Sequence, residues 1–158
     1  MIALAIEGAI EPGGLAWICD DARALLAVLE RADRELSLVL CDDPFIQDLN
    51  RRWRGLDQPT DVLSFPQGDD FGGRSPLLGD VIISLDRAAL QADERGHGLH
   101  TELKVLLIHG LLHLLGHEHH GPEGCARMAA EEVRLLGVLG VDVGGLVARS
   151  GVLGVGQR

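Results

Sequence analysis

Apolar and small residues alternate through Ile2–Glu7 as they would in a half-buried strand, and Pro12-Gly13-Gly14 then punctuates the chain. Over residues 15–31 the period lengthens: Ile18, Ala22, Leu25, Leu26 and Leu29 recur every three or four positions, the spacing of one helix face. Residues 35–40 read as a short second strand. Asp42-Asp43-Pro44 supplies an N-cap and a proline for a first turn, so residues 45–53 are expected as a short helix with Phe45, Ile46 and Leu49 facing inward. A loop containing Gly55 and Pro59 leads to a third strand ending at Phe65-Pro66, and residues 67–76 are polar and glycine-rich. Residues 78–85 form the most hydrophobic strand candidate and are expected at the centre of a sheet. Asp86 is read as capping a helix that reaches Arg95, and residues 96–100 as a loop with His97 and His100 at the surface.

Thr101 is the expected N-cap of the next helix, whose apolar residues suit burial on most sides and carry it through His113. Gly116 tolerates the left-handed backbone that would stop it there. Gly121-Pro122-Glu123 restarts a helix with Met128, Val133, Leu135 and Leu136 on its apolar positions and Glu131 and Glu132 exposed. The pattern implies one α+β domain over residues 1–140: a small mixed four-stranded sheet packed with about five helices, the histidine-bearing helix buried against it. Residues 141–158 read as a weakly ordered glycine-rich tail.

Composition narrows the setting. Hydrophobic residues make up 46% and charged residues 24%, ordinary for a globular protein, and no apolar run reaches the ~18 residues of a membrane span. The N-terminus has no basic segment and an early acid, Glu7, so a secretion signal is not expected. Cys19, Cys41 and Cys125 are scattered and odd in number, which favours a reducing, cytoplasmic setting and small buried thiols. The net charge of −10 opposes nonspecific affinity for phosphate. Positive charge is almost all arginine, Lys104 being the only lysine, with one cluster at Arg51, Arg52 and Arg54. An acidic body with a basic rim would handle phosphate only at its site.

Five of the seven histidines fall between His109 and His120. A single histidine on an apolar helix is ordinarily a hydrogen-bonded core residue. Here His109 and His113 stand four apart on one helix face, and a reversal at Gly116 would bring His119 towards them. Relative positions 0, 4 and 10 give three neutral nitrogen ligands and one open tetrahedral position, the coordination of a catalytic zinc ion. His120 is the alternative third ligand.

The same spacing occurs in metzincin-type zinc peptidases, where glutamate follows the first histidine as general base; here that position is Gly110. The whole run, His-Gly-Leu-Leu-His-Leu-Leu-Gly-His-Glu-His, instead resembles the signature of the YbeY family of bacterial endoribonucleases. Residues 49–66, with Leu-Asn-Arg-Arg-Trp-Arg-Gly-Leu-Asp-Gln-Pro-Thr-Asp-Val-Leu-Ser-Phe-Pro, resemble its second signature, and Leu-Gly-Asp-Val-Ile-Ile-Ser from Leu78 its third. These blocks span roughly residues 35–135.

The resemblance implies a zinc-dependent endoribonuclease that cuts single-stranded RNA, chiefly ribosomal RNA at the 3′ end of the small-subunit molecule, and serves ribosome quality control. It implies the ribosome or its associated proteins as partners, and neither DNA nor membrane. One zinc ion would sit on His109, His113 and His119. His109 and Arg54 would be the catalytic residues, Arg54 neutralising charge that develops on the phosphoryl group. Arg51 and Ser64 are further candidates for substrate contact, and Glu118 or His117 for proton transfer; the general base stays unnamed. Plainer roles compete: solvated helix charge for Arg51 and Arg52, a strand serine for Ser64, loop-pinning for Asp57, Thr60 and Asp61. Asp80 is read as a turn cap or as a group orienting a ligand histidine. Without the resemblance the residues lead only to a metal-dependent hydrolase. A zinc peptidase and a non-catalytic metal-binding assembly factor are the competing functions.

Overall fold

Strand β1 (Ile2–Glu7) lays Ile2, Leu4 and Ile6 on the main core and exposes Ala3, Ala5 and Glu7, the two-residue period of a sheet covered on one face. The structure is a computed structural model that describes residues 1–9, 13–67, 76–117 and 121–142. The tail expected over residues 141–158 lies outside the described residues from 143 onward.

Helix α1 (Trp17–Val28) buries Ile18, Ala22, Leu25 and Leu26, the stripe read from the sequence. It ends before Arg31 because Glu30 takes a left-handed φ of 60° while the Arg31 N–H donates to Leu26 O at 2.7 Å. That termination normally falls to glycine, so the sequence concealed it. Strand β2 (Glu35–Cys41) runs parallel to β1. Helix α2 (Asp43–Arg54) is capped by Asp42, whose Oδ1 accepts from the Phe45 N–H at 3.1 Å, with Pro44 in the first turn. Strand β3 (Val62–Pro66) pairs antiparallel with β4 (Leu77–Ser84), and β4 pairs parallel with β2. The sheet order is therefore β1-β2-β4-β3, mixed and four-stranded as expected, with β4 inside and β3 at an edge.

Helix α3 (Leu85–Arg95) is capped by Ser84, whose Oγ accepts from the Arg87 N–H at 3.2 Å; it is not capped by Asp86. Asp86 instead accepts from the backbone N–H of Asp43 at 2.9 Å and ties α3 to the start of α2. Helix α4 (Leu99–Leu114) starts two residues before Thr101, with Gly98 as its N-cap. Tertiary contacts decide that start: Leu99 packs on the core, and His100 stacks on Trp17 with ring centroids 4.6 Å apart. Glu102, fully buried, takes Arg95 Nη1 on both oxygens at 3.0 and 2.9 Å and His97 Nε2 at 3.1 Å. His97 is thus half-buried in an ionic cluster, which corrects its reading as a surface residue. Buried charges persist where they are paired in this way.

From Glu102 to Leu112 only Lys104 escapes burial. One side of α4 rests on the sheet at Gly110, where a Cβ would lie 2.7 Å from Val81 Cγ1 and 3.2 Å from both Ser64 Oγ and Val62 Cγ2. Glycine is what lets helix and sheet approach this closely. Helix α5 (Gly121–Val138) covers α4 with Met128, Glu132, Leu135 and Leu136 buried. Glu132, expected at the surface, is 2% exposed. The other sheet face carries a smaller cluster of Cys41, Ile46, Leu63 and Ile82 beneath α2.

Candidate active site

His109 and His113 occupy adjacent turns of α4, and their Nε2 atoms stand 3.1 Å apart. The rings meet edge to face, centroids 4.7 Å apart at 70°. Behind them, His109 Nδ1–H donates to Oε1 of Glu132 across 3.3 Å. A carboxylate only accepts, so this bond puts the ring proton on Nδ1 and leaves the Nε2 lone pair directed at His113.

These features fit a metal ion. Two nitrogens bound tetrahedrally at ~2.0 Å would be about 3.3 Å apart, close to the separation observed. A carboxylate on the far nitrogen of a ligating histidine is the usual device for fixing its tautomer. Sequence reasoning missed Glu132 because two adjacent glutamates look solvated. Its signal was position: Met128, Glu132, Leu135 and Leu136 lie at i, i+4, i+7 and i+8, one continuous stripe.

Gly116, with φ of 92°, ends α4 as the sequence implied. Its N–H donates to His113 O and that of His117 to Leu112 O, both at 3.0 Å, the paired bonds of a Schellman turn. His117 is half-buried beyond this turn and does not line the cavity beside the histidines. Glu118, His119 and His120 lie outside the described residues. Among the described residues no group of three or more histidine, cysteine or acidic side chains forms a metal cluster.

The paired imidazoles open onto a cavity of about 300 Å³ lined also by Arg54, Ser64 and Pro66. Arg54 is the last residue of α2, and Gly55 caps that helix with a left-handed φ of 71°. The loop that follows is pinned at several points. Asn50 Nδ2–H, from a nearly fully buried side chain, donates to Gln58 O at 2.9 Å; Gln47 Nε2–H donates to Asp57 Oδ1 at 3.0 Å. Asp61, also buried, accepts from the Val62 N–H at 2.7 Å and from Gln91 Nε2–H at 3.2 Å. Asn50 and the aspartates therefore hold Arg54 and β3 in their relative places. Asn50 was given no role from the sequence; its signals were its place in the run that resembles the second signature and a polar residue on the inward face of α2.

Ser64 faces the cavity, and its Oγ–H donates to Gly110 O on α4 at 2.9 Å. Arg51 is elsewhere, on the exposed side of α2, donating to Asp48 Oδ1 at 2.7 Å, with Arg52 at 3.0 Å from the other oxygen. The Arg51 hydrogen bond leads in holding the Asp48 carboxyl below its ordinary value. Asp80 lies on the α2 side of β4 and does not line the histidine cavity. Cys41 is buried, with its thiol pushed up to about 12, chiefly by burial; Cys19 and Cys125 are half-buried.

The family model for "Endoribonuclease YbeY" matches residues 16–140. A Myxococcus xanthus protein of that name is 55% identical over 122 residues, covering 76% of this chain and 42% of the relative. One from Anaeromyxobacter is 52% identical over 114 residues, covering 72% and 59%. One from Carboxydothermus hydrogenoformans is 48% identical over 107 residues, covering 68% and 73%. The matches thus span less than two thirds of the length of the first two relatives. The solution structure of TM1509 from Thermotoga maritima superimposes with a TM-score of 0.57 at 26% identity, covering 87% of this chain and 90% of that one.

Proposed function

The chain belongs to the YbeY family, and from that premise we propose that it is a zinc-dependent endoribonuclease that cuts single-stranded RNA in the maturation of ribosomal RNA. The observation that carries the reading is the pair of imidazole nitrogens, 3.1 Å apart, in one cavity with the Arg54 guanidinium. His109, His113 and His119 would hold one zinc ion, which when bound supplies Lewis acidity towards a phosphoryl oxygen. Glu132 keeps the His109 proton on Nδ1, so that Nε2 stays a donor of its lone pair. Arg54 carries the planar fork that grips two non-bridging oxygens and offsets charge gathering on them during cleavage.

Three neutral histidine ligands would leave a bound zinc ion cationic on a chain of net charge −10, which would favour phosphate at this cavity over the acidic body. Delivery of the RNA would then fall to the ribosome or its associated proteins, in the cytoplasm. Glu118 and His117 stay candidates for moving the proton. A peptidase is disfavoured because position 110, where the zinc peptidases place their base, has no room for a side chain.

The test is metal analysis coupled to cleavage of a single-stranded RNA and, in parallel, of an unstructured protein, after stringent removal of contaminating nucleases. Zinc near one ion per chain is expected in the wild type and in Arg54→Ala, with RNA cleavage lost in Arg54→Ala and in His109→Ala. Chelator-sensitive cleavage of only the protein would establish the peptidase. Zinc binding with no cleavage of either would establish the assembly factor. Full zinc retention in His119→Ala and loss in His120→Ala would exchange the third ligand.

A further inference from the structure

Arg54 lines the histidine cavity, and the residue before it, Trp53, lines another on the opposite side of β3. This second cavity is about 470 Å³ and is walled mainly by apolar side chains, among them Phe65. Pro66, at the end of the edge strand β3, lines both cavities. Trp53 is 67% exposed and stands edge-on to Phe65, centroids 6.0 Å apart at 61°. The polar side chains of Asp80 and Gln67 complete the lining, and the Asp80 carboxylate makes no side-chain hydrogen bond among the described residues.

We propose that this cavity is a nucleobase subsite, taking the base next to the phosphate at Arg54 and favouring bases that carry an exocyclic amino group. The proposal rests on the nuclease reading above and supplies it with a substrate preference. A strand whose phosphate lies at Arg54 need only turn round the Pro66 edge to present its next base to Trp53 and Phe65. Flat aromatic faces stack any base, which gives affinity without reading sequence. The carboxylate adds selection. It accepts only, so it complements the amino group of cytosine or adenine and opposes the O4 that uracil presents in the same place. It also excludes phosphate from this cavity, on a chain that is already acidic. The Gln67 amide both donates and accepts and can pair with the neighbouring ring position.

Equilibrium binding of 2′-O-methyl hexamers to the zinc-loaded protein tests the idea, using cytidine, uridine and abasic chains of equal phosphate number. Cytidine hexamers are expected to bind about tenfold more tightly than uridine or abasic ones. Trp53→Ala should lose about tenfold on cytidine and nothing on the abasic chain; Asp80→Asn should erase the preference for cytidine over uridine. Equal wild-type affinity for the three oligomers overturns the proposal, as does an equal loss on all three in both variants, which would mark a structural role. Unselective binding with RNA cleavage intact removes the subsite alone. Selective binding with no cleavage of any RNA removes the nuclease reading and leaves the subsite standing.

Discussion

His109 on α4 and Glu132 on α5 face each other across 3.3 Å, and both are buried. Two consecutive helices are thereby joined at the atom pair that sets the tautomer of a proposed ligand. Glu132→Ala is expected to weaken zinc binding by about 10–100-fold, measured by competition with a chelator. Glu132→Gln keeps a carbonyl acceptor and the side chain's volume, so it should retain most of the affinity. Equal losses in both would show that the negative charge, and not the tautomer, is what the site needs.

Arg54 is exposed at the end of its helix, so its removal should leave the fold intact. Arg54→Ala is expected to lower kcat by about 10²–10³ with zinc content unchanged. Arg54→Lys should recover only a small part, because an ammonium cannot form the two parallel bonds of a guanidinium. Steady-state kinetics beside metal analysis gives the answer; a change confined to KM would reduce Arg54 to a binding group.

Gly110→Ala tests the seat of α4. Its methyl would lie 2.7 Å from Val81 Cγ1, in a contact whose neighbours are themselves packed in the core. A loss of about 1–3 kcal/mol is expected in urea denaturation. Stability equal to wild type would mean that helix and sheet can part without cost.

Asp42 accepts from the Ala9 N–H at 2.9 Å and from the Phe45 N–H at 3.1 Å. The bond from Ala9 leads in holding its carboxyl below the ordinary 3.8. A carboxyl whose folded value is depressed stabilises the fold fully above its unfolded value and loses that contribution as pH falls through the folded one. The stability gap between wild type and Asp42→Ala is therefore expected to be constant above pH ~5, at about 1 kcal/mol, and to close below pH ~4. Paired denaturation curves across that range would reveal it; a gap that persisted at pH 2 would assign the effect to packing.

The elements and the sheet class were legible because periodicity reports which face is covered, as in β1 and α1, and because the near-continuous apolar runs of β4 and α4 report burial on both sides. Boundaries failed at three ends: Glu30 takes a conformation usually left to glycine, Gly98 stands as the cap of α4 in place of Thr101, and Ser84 caps α3 in place of Asp86. Within the site, His109 and His113 announced themselves by spacing and by the glycine that ends their helix, whereas Arg54 was marked only by the resemblance of residues 49–66 to the family's signature. Glu132 and Asn50 did not stand out, since a buried polar residue looks in sequence like a solvated one until its partner is known. His97 was misjudged for the same reason, its partner Glu102 being hidden among leucines.

The bond from Ser64 to Gly110 has a consequence for admission. It ties the edge strand to the backbone of the histidine helix, two walls of the same cavity, so a guest that wedges them apart must first break that bond, at a cost of about 1 kcal/mol. If RNA is the substrate, a single strand slim enough to enter without parting those walls would avoid that cost.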